Sequence, residues 1–220
     1  MSDTVLTYLS EYCERAGDPG YFAEPLNLVT NLFFIVGAVY AARAIRATPK
    51  DAPRLDFWLL FLFMVLIGIG SGLWHLSPSR LTLLMDVIPI TLFINLYLIS
   101  TMRRLFHLAW WKIGLLWLTY GAAGAYAQAS LPQDMLNGTI MYVPTYLTLG
   151  LITALLWCRD KALGRIFARV FVVWTASLVF RTIDMDICPR ISFGSHFLWH
   201  ILNAWVLWRL LVALVAYRRG

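Results

Sequence analysis

The chain has 220 residues, of which 60% are hydrophobic and only 14% charged. Soluble domains run nearer half apolar and a quarter charged, so this composition excludes an ordinary soluble module and points to a polytopic membrane protein. The net charge of +6 does not imply nucleic acid, because the basic residues sit in short loops beside apolar runs and no basic face with interleaved aromatics lies outside them.

Residues 1–24 are polar and acidic. They hold no apolar h-region, so no cleavable signal peptide is expected. They read as an acidic extramembrane segment ahead of a single domain covering 25–220. A spanning helix needs about 20 mostly apolar residues. Seven stretches qualify, at 25–46, 57–76, 81–101, 108–127, 138–157, 165–183 and 195–217. Turn-forming stretches separate them, among them "ATPKDAPR", "SPSR", "LPQDMLNG" and "CPRISFG". No internal repeat or low-complexity tract interrupts the pattern. The expected fold class is an all-α membrane protein, a seven-transmembrane-helix bundle. Ten Trp, ten Tyr and thirteen Phe fit such a chain, since aromatic rings favour the membrane interface.

Charge sets the expected orientation. Only Arg15, Arg80, Arg181 and Arg190 fall at the N-terminus or in the even loops. The other fourteen of the eighteen Lys and Arg, including Arg43, Arg46, Lys50, Arg103, Arg104, Arg218 and Arg219, fall in the odd loops or at the C-terminus. The positive-inside rule then puts the N-terminus outside or in a lumen, and the C-terminus in the cytosol.

On that topology the intramembrane polar groups converge. "GIGSGLWHL" brings Ser71 and His75, four residues apart, to the outer end of span two. Asp86 in "LLMDVIPI" lies near the outer end of span three, and "GSHFLWH" opens span seven with His196 and His200. Each i, i+4 pair shares a helical face. Ionisable groups within spans are functional by default, although singly each has a bland reading: an interhelical contact for Ser71 or a helix cap for Asp86. Three imidazoles around one point form a ligand set for catalytic zinc, with a fourth position left for water. Zinc lowers the pKa of that water and supplies a nucleophile near neutral pH. Asp86 would serve as proton acceptor and then donor, and Ser71 would meet a developing oxyanion. His107 falls at the cytosolic end of span three beside Arg103 and Arg104 and reads as an interfacial side chain outside the site.

The segments "YCE", "AEPLNLVTNLFFIVGA", "GSGLWH", "MDVIP", "IDMDIC" and "GSHFLWHILNAW" span most of the chain. In this order they resemble the alkaline ceramidases, within a superfamily of seven-helix membrane hydrolases that also includes adiponectin-receptor-like proteins. The resemblance implies zinc on His75, His196 and His200, with Ser71 and Asp86 in the active site. It implies hydrolysis of the ceramide amide, releasing sphingoid base and fatty acid. The expected partners are therefore a ceramide-like membrane lipid and the bilayer itself, in a bacterial inner membrane or a eukaryotic endomembrane.

The resemblance also implies calcium, held by an Asp-Trp-Cys-Glu-like start and a Glu just before the first span. Here "EYCERAGDPGYFAEPLN" offers Glu11, Glu14, Glu24 and Asn27 as hard oxygen ligands. Glu11 stands where the family has Asp, Ala16 aligns with the family's Asn ligand, and Asp18 is near enough to compensate. A solvated acidic cap over the outer mouth is the alternative reading. Cys13 and Cys188 both fall on the outer side, where disulfides persist. A bridge between them would pin the N-terminal segment beside the loop leading into the last span, leaving Cys158 free. Asn137-Gly138-Thr139 is a formal glycosylation sequon.

Two other functions stay open on the residues alone. One is an esterase of the same superfamily acting on a glycerolipid. The other is a seven-helix receptor or transporter with structural zinc. Against the latter, structural zinc sites close four protein ligands, and inverted-repeat transporters have matched halves that this chain lacks.

Overall fold

The computed structural model describes residues 11–49, 54–132 and 134–217. Lys50, Arg218 and Arg219, counted above on the basic side, lie outside these ranges, as do residues 1–10 of the acidic segment. The described residues are helical with no strand.

The first span is broken in two. α1 (Pro25–Thr30) and α2 (Leu32–Arg46) meet at Asn31, whose side-chain amide donates to the Asn27 carbonyl. Pro25 suits the first turn because its missing N–H has no helical partner there. The Glu14 carboxylate accepts from the Leu26 and Asn27 N–H groups, so a side chain from upstream caps this helix. α3 (Leu55–Leu76) and α4 (Arg80–Arg104) follow, with a capping box between Ser79 and Thr82 starting α4.

α5 (Trp110–Ser130) is a helix of 21 residues with Ile113 as its one buried side chain. A short 3-10 turn (Thr139–Tyr142) leads into α6 (Val143–Arg159). Asp160 ends α6 and caps α7 (Lys161–Thr182) by accepting from the Ala162 and Leu163 N–H groups. That cap is why α7 starts four residues before the expected 165. The single turn α8 (Asp184–Ile187) precedes α9 (His196–Tyr217).

Six of these helical stretches are long and apolar enough to cross a membrane: Pro25–Arg46, Leu55–Leu76, Arg80–Arg104, Thr139–Arg159, Lys161–Thr182 and His196–Tyr217. α5 is long enough at about 1.5 Å per residue, but Gly, Ala, Tyr, Gln and Ser in "YGAAGAYAQAS" dilute its hydropathy. α9 is the most enclosed span, packed between α2 and α7, while α3 packs on α2 and α4. Phe34, Met64, Phe93, Phe167, Leu211 and Leu214 belong to the shared core. The basic loops gather at one end of the bundle, where Arg104 clasps Asp56 at 2.7 Å and Arg159 lies over Phe106. His107 is exposed at this end, with a φ of +54°, between α4 and α5.

Candidate metal centre

The opposite end holds the converging histidines. His75 comes from the last turn of α3, and His196 and His200 from the first turns of α9. All three are buried, and one ring nitrogen from each lies within 4.8 Å of the others. Their second nitrogens explain the ring orientations. His75 Nδ1 meets the Glu24 carboxylate at 2.5 Å, and since a carboxylate only accepts, Nδ1 carries the hydrogen. The Thr30 hydroxyl donates to the Leu26 carbonyl, so it accepts from His200 Nδ1 at 3.0 Å.

With each Nδ1 engaged by an outer partner, as assigned from the hydrogen-bond network, the Nε2 atoms of His75 and His200 face each other at 3.2 Å. Tetrahedral zinc with bonds near 2.0–2.1 Å holds its ligand nitrogens about 3.3 Å apart. Among the described residues His196 Nδ1 is buried with no hydrogen-bond partner, which leaves a third nitrogen beside the other two. The donor set therefore fits a zinc ion, and Glu24 and Thr30 are the outer partners that histidine ligands ordinarily require.

α9 is aimed by Asp184. Its carboxylate accepts from the Ser195 and His196 N–H groups at 2.6 and 2.9 Å, and from the Cys13 N–H at 3.0 Å. A negative charge at a helix N-terminus also complements the helix dipole. Gly194 adopts a φ of +61° with its α-carbon pressed against Asp184 and Cys13, where any Cβ would collide. Cys13 and Cys188 are joined as a disulfide with their α-carbons 5.4 Å apart, and Cys158 is free and exposed. The N-terminal segment thus lies on top of the three histidines. Tyr12 packs on His196 and His75 with centroids 4.2 and 4.9 Å away, and accepts from Trp74 Nε1. Burial pushes the Tyr12 hydroxyl well above its ordinary value, so it stays a neutral phenol.

Ser71 and Asp86 are brought together beside this cluster, on the wall of one cavity. Asp86 Oδ1 is itself buried and unpartnered. A cavity of about 1080 Å³ runs from here between α4, α5 and α9, lined by Ser71, Asp86, His196 and His200 and, farther out, by Gly121 and Gly124. A smaller apolar pocket of about 70 Å³ continues it toward Phe93 and Trp174, sharing Ile67, Ile90, Trp199 and Asn203 with it.

Three site residues escape a reading by residue type. Arg181 lines the cavity between the rings of Tyr142 and Trp199, and its buried Nε has no partner. Arg15 is 2% exposed, and Asp184 is 1% exposed. The signal for the two arginines is the charge split: basic residues on the side where the positive-inside gradient disfavours them need a local reason, and of those four Arg15 is buried and Arg181 has a buried Nε. The Asn137 side-chain nitrogen donates to the Arg181 carbonyl and Thr139 is buried, so glycosylation of this sequon would have to break that contact.

Three of the acidic groups named for calcium are engaged by protein donors. Glu14 holds two backbone N–H groups, and Asp18 Oδ1 accepts from the Gly20 N–H. Glu24 takes Arg15 Nε, Asn27 Nδ2 and His75. Burial acts to raise the Glu24 carboxyl, but the hydrogen bonds from His75, Asn27 and Arg15 outweigh it and keep it below its ordinary value, as a carboxylate. Glu11 instead faces the cavity, where burial raises its carboxyl. Asn27 donates through Nδ2 to Glu24, and its buried Oδ1 has no partner among the described residues.

The sequence profile of the Ceramidase family matches residues 10–219, nearly the whole chain. The chain belongs to the Ceramidase family. No curated protein matches it. Family membership and the six apolar helices together make it an integral, multi-pass membrane protein.

Proposed function

We propose that the protein is a zinc-dependent intramembrane hydrolase that cleaves the amide of ceramide-type lipids into sphingoid base and fatty acid. The observation that carries this reading is the pair of facing Nε2 atoms on His75 and His200, with unpartnered His196 Nδ1 beside them, at the head of a cavity that also holds Ser71 and Asp86. A bound zinc ion supplies Lewis acidity and an activated water near neutral pH.

The protein's own groups do the rest. Asp86 takes a proton from the attacking water and passes it to the departing amine. The Ser71 hydroxyl donates to the developing oxyanion. Arg181 Nε offers a further donor to the polar atoms of the lipid. The apolar walls around Ile67, Ile90 and Trp199 take the hydrocarbon chain. Seven spans, with α5 as the fourth, place the N-terminus outside and the C-terminus in the cytosol, as the fourteen-to-four charge split favours. The scissile amide of a ceramide, where head group meets hydrocarbon, then lies at the depth of the histidines in the outer leaflet.

The test is product analysis by mass spectrometry after incubating the pure protein with a mixed lipid panel in detergent. Equal amounts of sphingoid base and fatty acid from a ceramide are expected. Cleavage of glycerolipid esters alone would overturn the amidase reading.

A further inference from the structure

The Arg15 guanidinium sits inside a ring of oxygen atoms. Its Nε donates to Glu24 Oε1 at 2.5 Å, one terminal nitrogen to the carbonyls of Asp18 and Gly20 at 2.9 and 3.0 Å, and the other to the carbonyl of His75 at 2.7 Å. The Arg15 and Glu24 side chains are both fully buried. One carboxylate and three backbone carbonyls are the hard donors that a calcium ion collects in a loop. Here a planar fork of N–H groups fills the same role, a geometry the compact ammonium of lysine cannot reproduce.

Two further links follow from those bonds. The His75 carbonyl belongs to the last turn of α3, where helix carbonyls lack N–H partners, so Arg15 both satisfies it and sets a positive charge at the negative end of the helix dipole. The other Glu24 oxygen holds Nδ1 of the same histidine. His75 is therefore gripped at backbone and ring by one buried ion pair, and the loop from Arg15 to Gly20 is folded around that pair. Of the acidic side chains nearby, Glu14 caps α1 and Asp18 closes a turn through Oδ1.

We infer that Arg15 replaces a divalent cation as the internal clamp of the N-terminal segment, and acts through Glu24 as a positioning residue for His75. The protein therefore needs no calcium. Fixing the ring of a metal-ligating histidine through an outer carboxylate is worth about 10–100-fold in metal affinity.

The test uses the full-length, zinc-loaded protein in detergent, dialysed free of calcium. After equilibration with millimolar calcium, elemental analysis should find no calcium above a magnesium control, and the melting temperature should not move. Arg15→Gln should bind zinc about 10–100-fold more weakly in chelator competition, with Arg15→Lys between it and wild type. In cobalt-substituted protein at full occupancy, Arg15→Lys should shift the visible absorption bands, which a merely structural role would leave in place. One calcium per wild-type chain with a raised melting temperature would overturn the inference. So would Arg15→Lys or Arg15→Gln with wild-type metal affinity and an unchanged cobalt spectrum. If Arg15→Gln does not fold, Arg15→Lys and the calcium measurement decide. The metal arm rests on the proposed zinc site; a wild-type protein that takes up no zinc ends that reading, whereas the calcium arm tests Arg15 without it.

Discussion

Gly70 lies against the backbone carbonyl of Met85, the oxygen that Pro89 leaves without its helical N–H donor. α3 and α4 pack backbone against backbone there, and a Cβ on Gly70 would collide with that carbonyl. The next residue on each helix is a site residue, Ser71 on one and Asp86 on the other. Their proximity is thus a consequence of a glycine on α3 and a proline one turn further along α4. Gly70→Ala should push the helices apart, costing about 1–3 kcal/mol of overpacking. It should lower turnover at least tenfold while leaving zinc content near wild type, since the three histidines come from α3 and α9. Turnover at the wild-type rate in a folded Gly70→Ala protein would show that the Ser71–Asp86 contact is dispensable.

Zinc content tests the donor set directly. His75→Ala, His196→Ala and His200→Ala should each lose the metal, and His107→Ala, altered at the opposite end of the bundle, should keep it. Glu24→Gln and Thr30→Val should retain zinc with weaker affinity, by about 10–100-fold. Elemental analysis of the five site variants beside His107→Ala is sufficient. Full zinc in any of the three histidine variants removes that residue from the site.

The disulfide and the orientation share one experiment. A maleimide that cannot cross membranes should label Cys158 in inside-out vesicles and leave it unlabelled in sealed right-side-out ones. In neither preparation should Cys13 or Cys188 react without prior reduction. Reduction frees the segment carrying Tyr12, Arg15 and Glu24, so it should lower both the melting temperature and zinc retention. Labelling of Cys158 from the outside would reverse the orientation and move the site to the other leaflet.

What was legible in the sequence was what residue type and helical spacing carry. His75, His196 and His200 stand out as ionisable groups in apolar runs, and their depth follows from the span ends. The span boundaries move by a few residues where a tertiary cap intervenes, as Asp160 does for α7. The contact between Gly70 and Met85 is invisible in one dimension, because nothing marks which glycine will meet which carbonyl. Arg15 was hidden for another reason: it read as one more loop charge, whereas three of its four acceptors are backbone carbonyls, which every residue has. α5 shows the limit of length as a criterion, since its glycines and alanines give it a helix of spanning length without matching hydropathy.

Chemistry at the cavity head supplies the last prediction. On the proposed amidase reading the departing amine must be protonated before it leaves, and Asp86 lines the cavity that His196 and His200 also line. Asp86→Asn keeps the shape and removes the proton carrier, so it should retain zinc and lose about 10²–10⁴-fold in turnover. Ser71→Ala removes a hydroxyl from oxyanion stabilisation and should cost up to about 10²–10³-fold in kcat, with KM little changed. Arg181→Gln should act on binding as well: its guanidinium lies between Tyr142 and Trp199 with Nε unpartnered, so a folded variant should show a raised KM for the lipid. These three profiles are separable by measuring zinc content, kcat and KM on one ceramide. An Asp86→Asn protein that releases sphingoid base at the wild-type rate would assign the proton transfer elsewhere, and Glu11, the other carboxyl facing this cavity, would be the group to change next.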